Sequence, residues 1–324
     1  MTSLGLGLIG LGRHGSRYAA HLLEGIPNAR LAAVTRRNEP EGRAFAARHG
    51  LRYHRTYQEL IADQAVEAVV VVTPPSQNLA ICLEAVSAKK PVLIEKPLAC
   101  TGGAAREMVT AAEAAGVSLM TAHTLRFDRA VQALKADLGK VGMREYLCLT
   151  SRVEPRPEVS DKRADYGGRG VLLEIGIHLL DLIRFLTGEE VREIRCEMRA
   201  EGTEGPESTA VAAIKTIGGF PCQVETSRVS HSRVGRAEWI GRDGQVCADW
   251  VRHRAWILTG RDIEHDRTVP DRPTIVSVLE AFVRSVTAGT TPPVTGLDGL
   301  RAVEIADACY ESAATGRWTP VSRT

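Results

Sequence analysis

Residues 4–18 read LGLGLIGLGRHGSRY, an apolar run suited to the interior of a sheet, then glycines at 10, 12 and 15, then a helix-forming stretch. The glycine spacing is GxGxxG. In that context Gly10 permits the tight turn, Gly12 lets backbone approach a pyrophosphate, and Gly15 allows close helix packing, while the helix N-terminus offers amide donors to an anion. The same glycines would also suit a βα turn that holds no ligand. The repeated pattern downstream is what lifts the motif above that reading.

Four more short apolar runs, RLAAV (30–34), VEAVVVVT (66–73), PVLIEK (91–96) and VSLMTA (117–122), alternate with helical stretches beginning near Ser16, Glu41, Gln77 and Gly103. Successive βα units of this kind build a doubly wound parallel sheet, and residues 1–122 are expected to form an α/β dinucleotide-binding Rossmann domain. Beyond them come a helix near Phe127–Leu138, a strand near Tyr146–Val153 and a Pro-, Arg- and Gly-rich loop from Glu154 to Gly170. A loop of that length in a compact domain usually has a function. A periodic helix, LLEIGIHLLDLIRFL (172–186), leads into strand-like segments around Glu193, Ala210, Val224, Trp239, Val246 and Trp256, with closing helices near Val276–Val286 and Leu297–Ala314. Residues 123–324 are therefore expected to form an α+β domain with a large, mainly antiparallel, open-faced sheet, its final helix able to return to the first domain. An open face needs a cover, and a second copy of the chain, in a homodimer or homotetramer, is the expected one.

Composition narrows the function classes. With 324 residues, 44% hydrophobic and 25% charged, and a formal net charge of only +2, the chain has the balance of a folded globular protein and no basic footprint for nucleic acid. Its apolar runs are too short to span a bilayer, and a small molecule is the expected partner. The seven cysteines are odd in number and never spaced CxxC, which argues against a disulfide framework or a zinc site and fits a reducing, cytoplasmic setting. No metal is expected.

The ends of the strands locate the cofactor contacts. Arg13 and His14 lie within the glycine loop. The second strand runs into Thr35, Arg36 and Arg37, where an acidic residue would hold the ribose hydroxyls of NAD; two guanidiniums instead suit a 2′-phosphate, so NADP(H) is favoured over NAD(H). Glu39 is the nearest carboxylate that could substitute. Ligands bind beyond the carboxyl ends of the strands of an open parallel sheet, which places Thr73, Pro74, Pro75 and Asn78 of TPPSQN, and Glu95 and Lys96 of EKP, beside the nicotinamide.

These segments, with AHTLRF (122–127) and GGRGVLLEIGIHLLD (167–181), resemble the glucose-fructose oxidoreductase, inositol dehydrogenase and MocA family over nearly the whole chain. The resemblance implies hydride transfer between nicotinamide and a secondary alcohol or carbonyl, often on a sugar or cyclitol. It implies Lys96 and His178 as catalytic residues, matched to the lysine of the EKP motif and the histidine of the DxGxH motif, and a cis Lys96–Pro97 peptide. Four positions depart from the family pattern. Glu174 stands where aspartate is usual, Asn78 where TPPxxH often has histidine, and Thr124 and Leu125 replace the asparagine and arginine of NRRF.

The helix can also be read directly. At 3.6 residues per turn Glu174, His178, Asp181 and Phe185 fall in one stripe, and Ile175, Leu179, Leu182, Ile183 and Leu186 on an apolar face. A carboxylate one turn before an imidazole can fix its tautomer and favour its protonated form, which suits proton exchange with a hydroxyl. Glu174 joins Lys96 and His178 as a catalytic candidate, and His123, Arg126, Lys162, Tyr166 and Asp181 are candidates for substrate contact. The alternative to an enzyme is a non-catalytic dinucleotide-binding regulator or sensor of the same fold. A third reading, a hydrolase or lyase using tightly held NAD as a transient oxidant, stays within the family.

Overall fold

The computed structural model describes residues 3–155, 164–200 and 205–322, so Lys162 lies outside the described residues. The chain forms two compact units, Met1–His123 with Ile275–Leu300, and Thr124–Thr274 with Arg301–Thr324.

In the first unit the opening apolar run becomes β1 (Leu4–Ile9), buried at every position. After it come α1 (Gly15–Gly25), β2 (Ala29–Thr35), α2 (Glu39–His49), β3 (Arg52–His54), α3 (Tyr57–Ala62), β4 (Ala68–Val71), α4 (Asn78–Ser87), β5 (Val92–Glu95), α5 (Gly102–Ala115) and β6 (Leu119–Ala122). The sheet is wholly parallel with order β3-β2-β1-β4-β5-β6. Strand order reverses between β1 and β4, the switch point at which a doubly wound sheet leaves its ligand crevice. Side chains fix where the helices begin: Asn38 accepts from the Glu41 amide, Thr56 and Glu59 form a reciprocal capping box, and Thr101 accepts from the Ala104 amide. Each satisfies amides that a helix start leaves without partners.

The second unit contains α6 (Arg129–Asp137), β7 (Arg144–Arg152), α7 (Ile177–Thr187) and strands β8 (Val191–Ala200), β9 (Glu207–Thr216), β10 (Pro221–Ser227), β11 (Val234–Gly241), β12 (Gly244–Asp249), β13 (Arg254–Thr259) and β14 (Asp262–Thr268). The chain closes with α8 (Thr274–Ala288), α9 (Gly296–Thr315) and β15 (Thr319–Pro320). Nine strands make one sheet, β14-β13-β12-β11-β7-β10-β9-β8-β15, antiparallel except for the β10/β7 pair. Burial alternates with period two. In β9, Ala210, Ala212 and Ile214 point into the core while Val211 and Ala213 point out; β7 likewise buries Leu147 and Leu149 and turns Tyr146 outward. The large mainly antiparallel sheet expected from the sequence is present, with its outer face open.

The division between the units is discontinuous, whereas the sequence suggested one cut after residue 122. The cause is local to the first unit. Residues 294–299 return along β6, where the Thr121 amide donates to the Val294 carbonyl at 3.3 Å and Met120 bridges Thr295. A Cβ on Gly296 or Gly299 would lie 2.6 Å from Leu119 or 2.3 Å from Thr121, so glycine is what lets the returning chain approach so closely. Among the described residues no helix is long and apolar enough to cross a membrane.

Candidate active site

In the first unit the glycine loop meets its sequence requirements one by one. Gly10 has φ +99°, and a Cβ there would lie 2.4 Å from the Val72 carbonyl oxygen. A Cβ on Gly15 would lie 1.9 Å from the Gly10 carbonyl oxygen. These two glycines are demanded by the protein itself. A Cβ on Gly12 would meet no protein atom within 4 Å, so the space in front of it is open for a ligand, and the loop fits the pyrophosphate of a dinucleotide. Arg13 is exposed beside it, and the carbonyl of the buried Thr35 holds the loop from the other side by accepting from the Gly10 and Leu11 amides.

Glu95 and His14, both candidate cofactor contacts, are joined to each other. His14 Nε2 lies 2.9 Å from Glu95 Oε1, and the Tyr18 hydroxyl donates to the same oxygen at 2.5 Å. The second oxygen, Oε2, accepts from the Lys96 amide at 3.0 Å. Tyr18 is fully buried and Glu95 nearly so. Burial pushes the Glu95 carboxyl up, but hydrogen bonds from His14 and Tyr18 and the charges of His14 and Lys96 outweigh it and hold it below the usual carboxylate range. Glu95 is thus an internal anchor for the lysine next to it.

Asn78 has a similar task. It is 1% exposed, its amide donates to the Pro97 and Leu98 carbonyls at 3.2 and 3.1 Å, and its oxygen accepts from the Thr73 hydroxyl at 2.9 Å. The side chains expected to face the cofactor from TPPSQN therefore bind that loop to the segment after Lys96, with Pro75 buried at the start of a short turn, Pro75–Gln77. Lys96 sits between two fastenings, Glu95 before it and Asn78 after it. The Lys96–Pro97 peptide is cis, as the resemblance implied.

At the tip of β2 Arg36 is half-buried and ion-paired with Glu41, while Arg37 is exposed. Glu39 is engaged by Arg43 at 2.8 Å and Arg55 at 3.6 Å.

In the second unit the expected polar stripe divides. Leu172–Gly176 is a π-helical turn that precedes α7, so Glu174 and His178 are not related by an ordinary α-helical turn. Glu174 accepts from Arg228 Nη2 at 2.8 Å. Ile175, expected on the buried face, is half-exposed, whereas Asp181, expected in the polar stripe, is 1% exposed. Asp181 takes two hydrogen bonds from Arg126, at 2.8 and 2.6 Å, in a fork-to-fork pair. Two substrate candidates are thus paired with each other and buried, and His123 is buried at the end of β6 in the first unit. Tyr166 is half-buried, in the turn Ala164–Tyr166.

Three functional supports were missed in the sequence. Glu207 accepts from the Gly170 and Leu172 amides at 2.8 and 2.9 Å and from the Tyr310 hydroxyl at 2.7 Å, so that Glu207 and Tyr310 together fix the start of the histidine-bearing helix. Arg228 is the third, through Glu174. These bonds join residues 35 to 103 positions apart, which leaves no local signal. Among the cysteines, burial pushes the Cys82, Cys222 and Cys247 thiols up to about 12, so they stay protonated as small hydrophobic groups at neutral pH.

A Rossmann unit with a pyrophosphate loop and a doubly fastened lysine at its carboxyl edge, in one chain with an α+β unit bearing a histidine on its helix, defines an NAD(P)-dependent oxidoreductase. Residues 4–123 match the model of the oxidoreductase family with an NAD-binding Rossmann fold, and residues 132–321 match its C-terminal alpha/beta domain. The chain belongs to this glucose-fructose oxidoreductase, inositol dehydrogenase and MocA family. It is 30% identical to myo-inositol 2-dehydrogenase of Thermotoga maritima over 95% of each chain, and 30% identical to inositol 2-dehydrogenase 2 of Saccharopolyspora erythraea over 98% of this chain and 96% of that one. A crystal structure described as a "probable dehydrogenase from Thermotoga maritima" superposes with a TM-score of 0.85 at 28% identity, covering 98% of this chain and 99% of that one.

The two buried carboxylates can be tested separately. Asp181→Asn deprives a buried guanidinium of its counter-charge and should cost about 3–5 kcal/mol, seen as a lower denaturation midpoint with dinucleotide affinity unchanged. Unchanged stability with lost turnover would return Asp181 to the substrate site. Because the Glu95 carboxyl is held low, its contribution is complete above the usual carboxylate range and fades as pH falls through its lowered one. Glu95→Gln should therefore be less stable at pH 7, with the gap to the unmodified protein narrowing in denaturant titrations below about pH 4; a gap constant with pH would refute the assignment.

Proposed function

We propose that the chain transfers a hydride between nicotinamide and a secondary alcohol or carbonyl of a sugar, cyclitol or related ring compound, with NADP(H) preferred. The observation that carries this reading is Lys96, fastened by the Glu95 carboxylate through its own amide and by Asn78 through the next two carbonyls. A flexible surface lysine would need no such frame. Fixed at the carboxyl edge of the sheet, its ammonium can donate to the reacting oxygen and stabilise negative charge there as the bond order changes. His178 exchanges the hydroxyl proton, and the same unit carries the Glu174–Arg228 pair. When bound, the nicotinamide supplies the hydride acceptor or donor. The inositol dehydrogenases among the relatives support a ring polyol as substrate. Arg36 and Arg37 at the tip of β2, where no carboxylate ends the strand, support the 2′-phosphate.

The catalytic roles are tested on a panel of ring polyols beginning with myo-inositol. Lys96→Met should lower kcat by about 10²–10³-fold with cofactor affinity little changed. His178→Asn should lower it by about 10²–10⁴-fold and remove the acidic limb of the pH profile for alcohol oxidation. Turnover at the unmodified rate in both variants would overturn the roles.

The proposal extends to assembly. A second copy of the chain covers the outer face of the nine-stranded sheet, where Val211, Ala213 and Tyr146 turn outward, Val211 being 42% and Tyr146 43% exposed. Light scattering at micromolar concentration should give a dimer or tetramer, and Val211→Glu should shift it toward monomer. A monomeric unmodified protein would contradict this.

A further inference from the structure

The tip of β2 carries more than two arginines. The Arg36 backbone is fixed, because its carbonyl accepts from the Tyr53 hydroxyl at 3.1 Å and Gly42 leaves room for both residues: a Cβ there would lie 2.4 Å from the Tyr53 ring and 3.2 Å from Arg36 Cβ. Glu41, whose carboxylate meets the Arg36 guanidinium, is itself held in place. Its amide donates to Asn38 Oδ1 at 3.3 Å, and its Oε1 accepts from Asn38 Nδ2 at 2.5 Å. Glu39 pairs instead with Arg43 and Arg55. Of the two cations at the tip, then, one already has an anion fastened against it by a helix cap.

Resting on the reading of Arg36 as a 2′-phosphate ligand, we infer that Glu41 is a positioning residue that competes with that phosphate and so holds down the preference for NADP(H) over NAD(H). An incoming 2′-phosphate must displace the Glu41 carboxylate from the guanidinium or share it, and either way two anions meet at one cation. NAD(H), without the phosphate, leaves the pair undisturbed. The Arg36 and Glu41 side chains are 30% and 52% exposed, so water and salt screen the competition and its size is moderate.

Glu41→Gln removes the charge while keeping an oxygen for the Asn38 amide, so α2 retains its cap. NADPH and NADH are titrated by fluorescence against the unmodified protein, Glu41→Gln, Arg36→Ala and the double variant. Glu41→Gln should tighten NADPH by roughly three- to tenfold, with less effect as salt rises, and should leave NADH within about twofold. In the Arg36→Ala background the same change should do little, because the competed cation is gone. Should Arg36→Ala leave NADPH binding intact, the 2′-phosphate reading fails and this inference with it. If Arg36→Ala weakens NADPH but Glu41→Gln moves both cofactors equally, moves neither, or acts as strongly without Arg36, the inference about Glu41 fails alone.

Discussion

A carboxylate buried at the end of β5 is the constraint around which the nucleotide-binding unit is arranged. An ionised group out of water must have its lone pairs satisfied, and Glu95 achieves this with an imidazole from the glycine loop, a hydroxyl from α1 and the amide of Lys96. Two segments distant in sequence, residues 14–18 and the end of β5, are thereby tied to one point. The loop that approaches the pyrophosphate cannot shift without disturbing the residue that precedes the lysine. Asn78 repeats the device with a neutral amide, joining the loop after β4 to the carbonyls of Pro97 and Leu98.

The second unit uses the same logic on its helix. Glu207 is half-buried, and it answers two amides at the helix start and the Tyr310 hydroxyl, while Arg169 lies over the Tyr310 ring at 4.5 Å. One turn beyond His178, Asp181 and Arg126 form a forked pair under Phe185, whose ring lies 5.4 Å from the guanidinium. Pairs as buried as this add little net stability over an apolar substitute but are costly to break in half. Their effect here is to fix the rotation of α7.

How much was legible in the sequence depends on the range of each signal. The glycine loop, the parallel strands and the antiparallel sheet announce themselves through apolar period and glycine spacing, which are local. β3 and α3 did not, because RYH has no apolar run and six residues give less than two turns. β14 is exposed at every position, so hydrophobic alternation cannot mark it. Lys96 and His178 were found through motif resemblance, whereas Glu207, Arg228 and Tyr310 were not found at all, since hydrogen bonds across the fold leave no spacing to read. Asn78 and Glu95 are legible as polar residues at strand ends, but their protein partners are not, because the sequence locates a side chain at a strand end without saying which way it turns.

The π-helical turn at Leu172–Gly176 shows where periodic reading fails in principle. One residue inserted into a helix rotates the segment before it against the segment after it by about 100°, so a stripe drawn across the insertion mixes two faces. Ile175, within the turn, accordingly leaves the core, whereas Asp181, beyond the turn on α7, is buried together with its partner Arg126. The insertion is fixed where the chain can hold it: Gly176 lacks a Cβ that would lie 2.9 Å from both Leu172 and Thr226, and Glu207 anchors the amides at the start of the turn. Glu174 is consequently aimed at Arg228 rather than stacked one α-helical turn before His178. Its carboxylate is paired with a cation, so a guanidinium stands beside the negative charge that the sequence pattern places before the histidine.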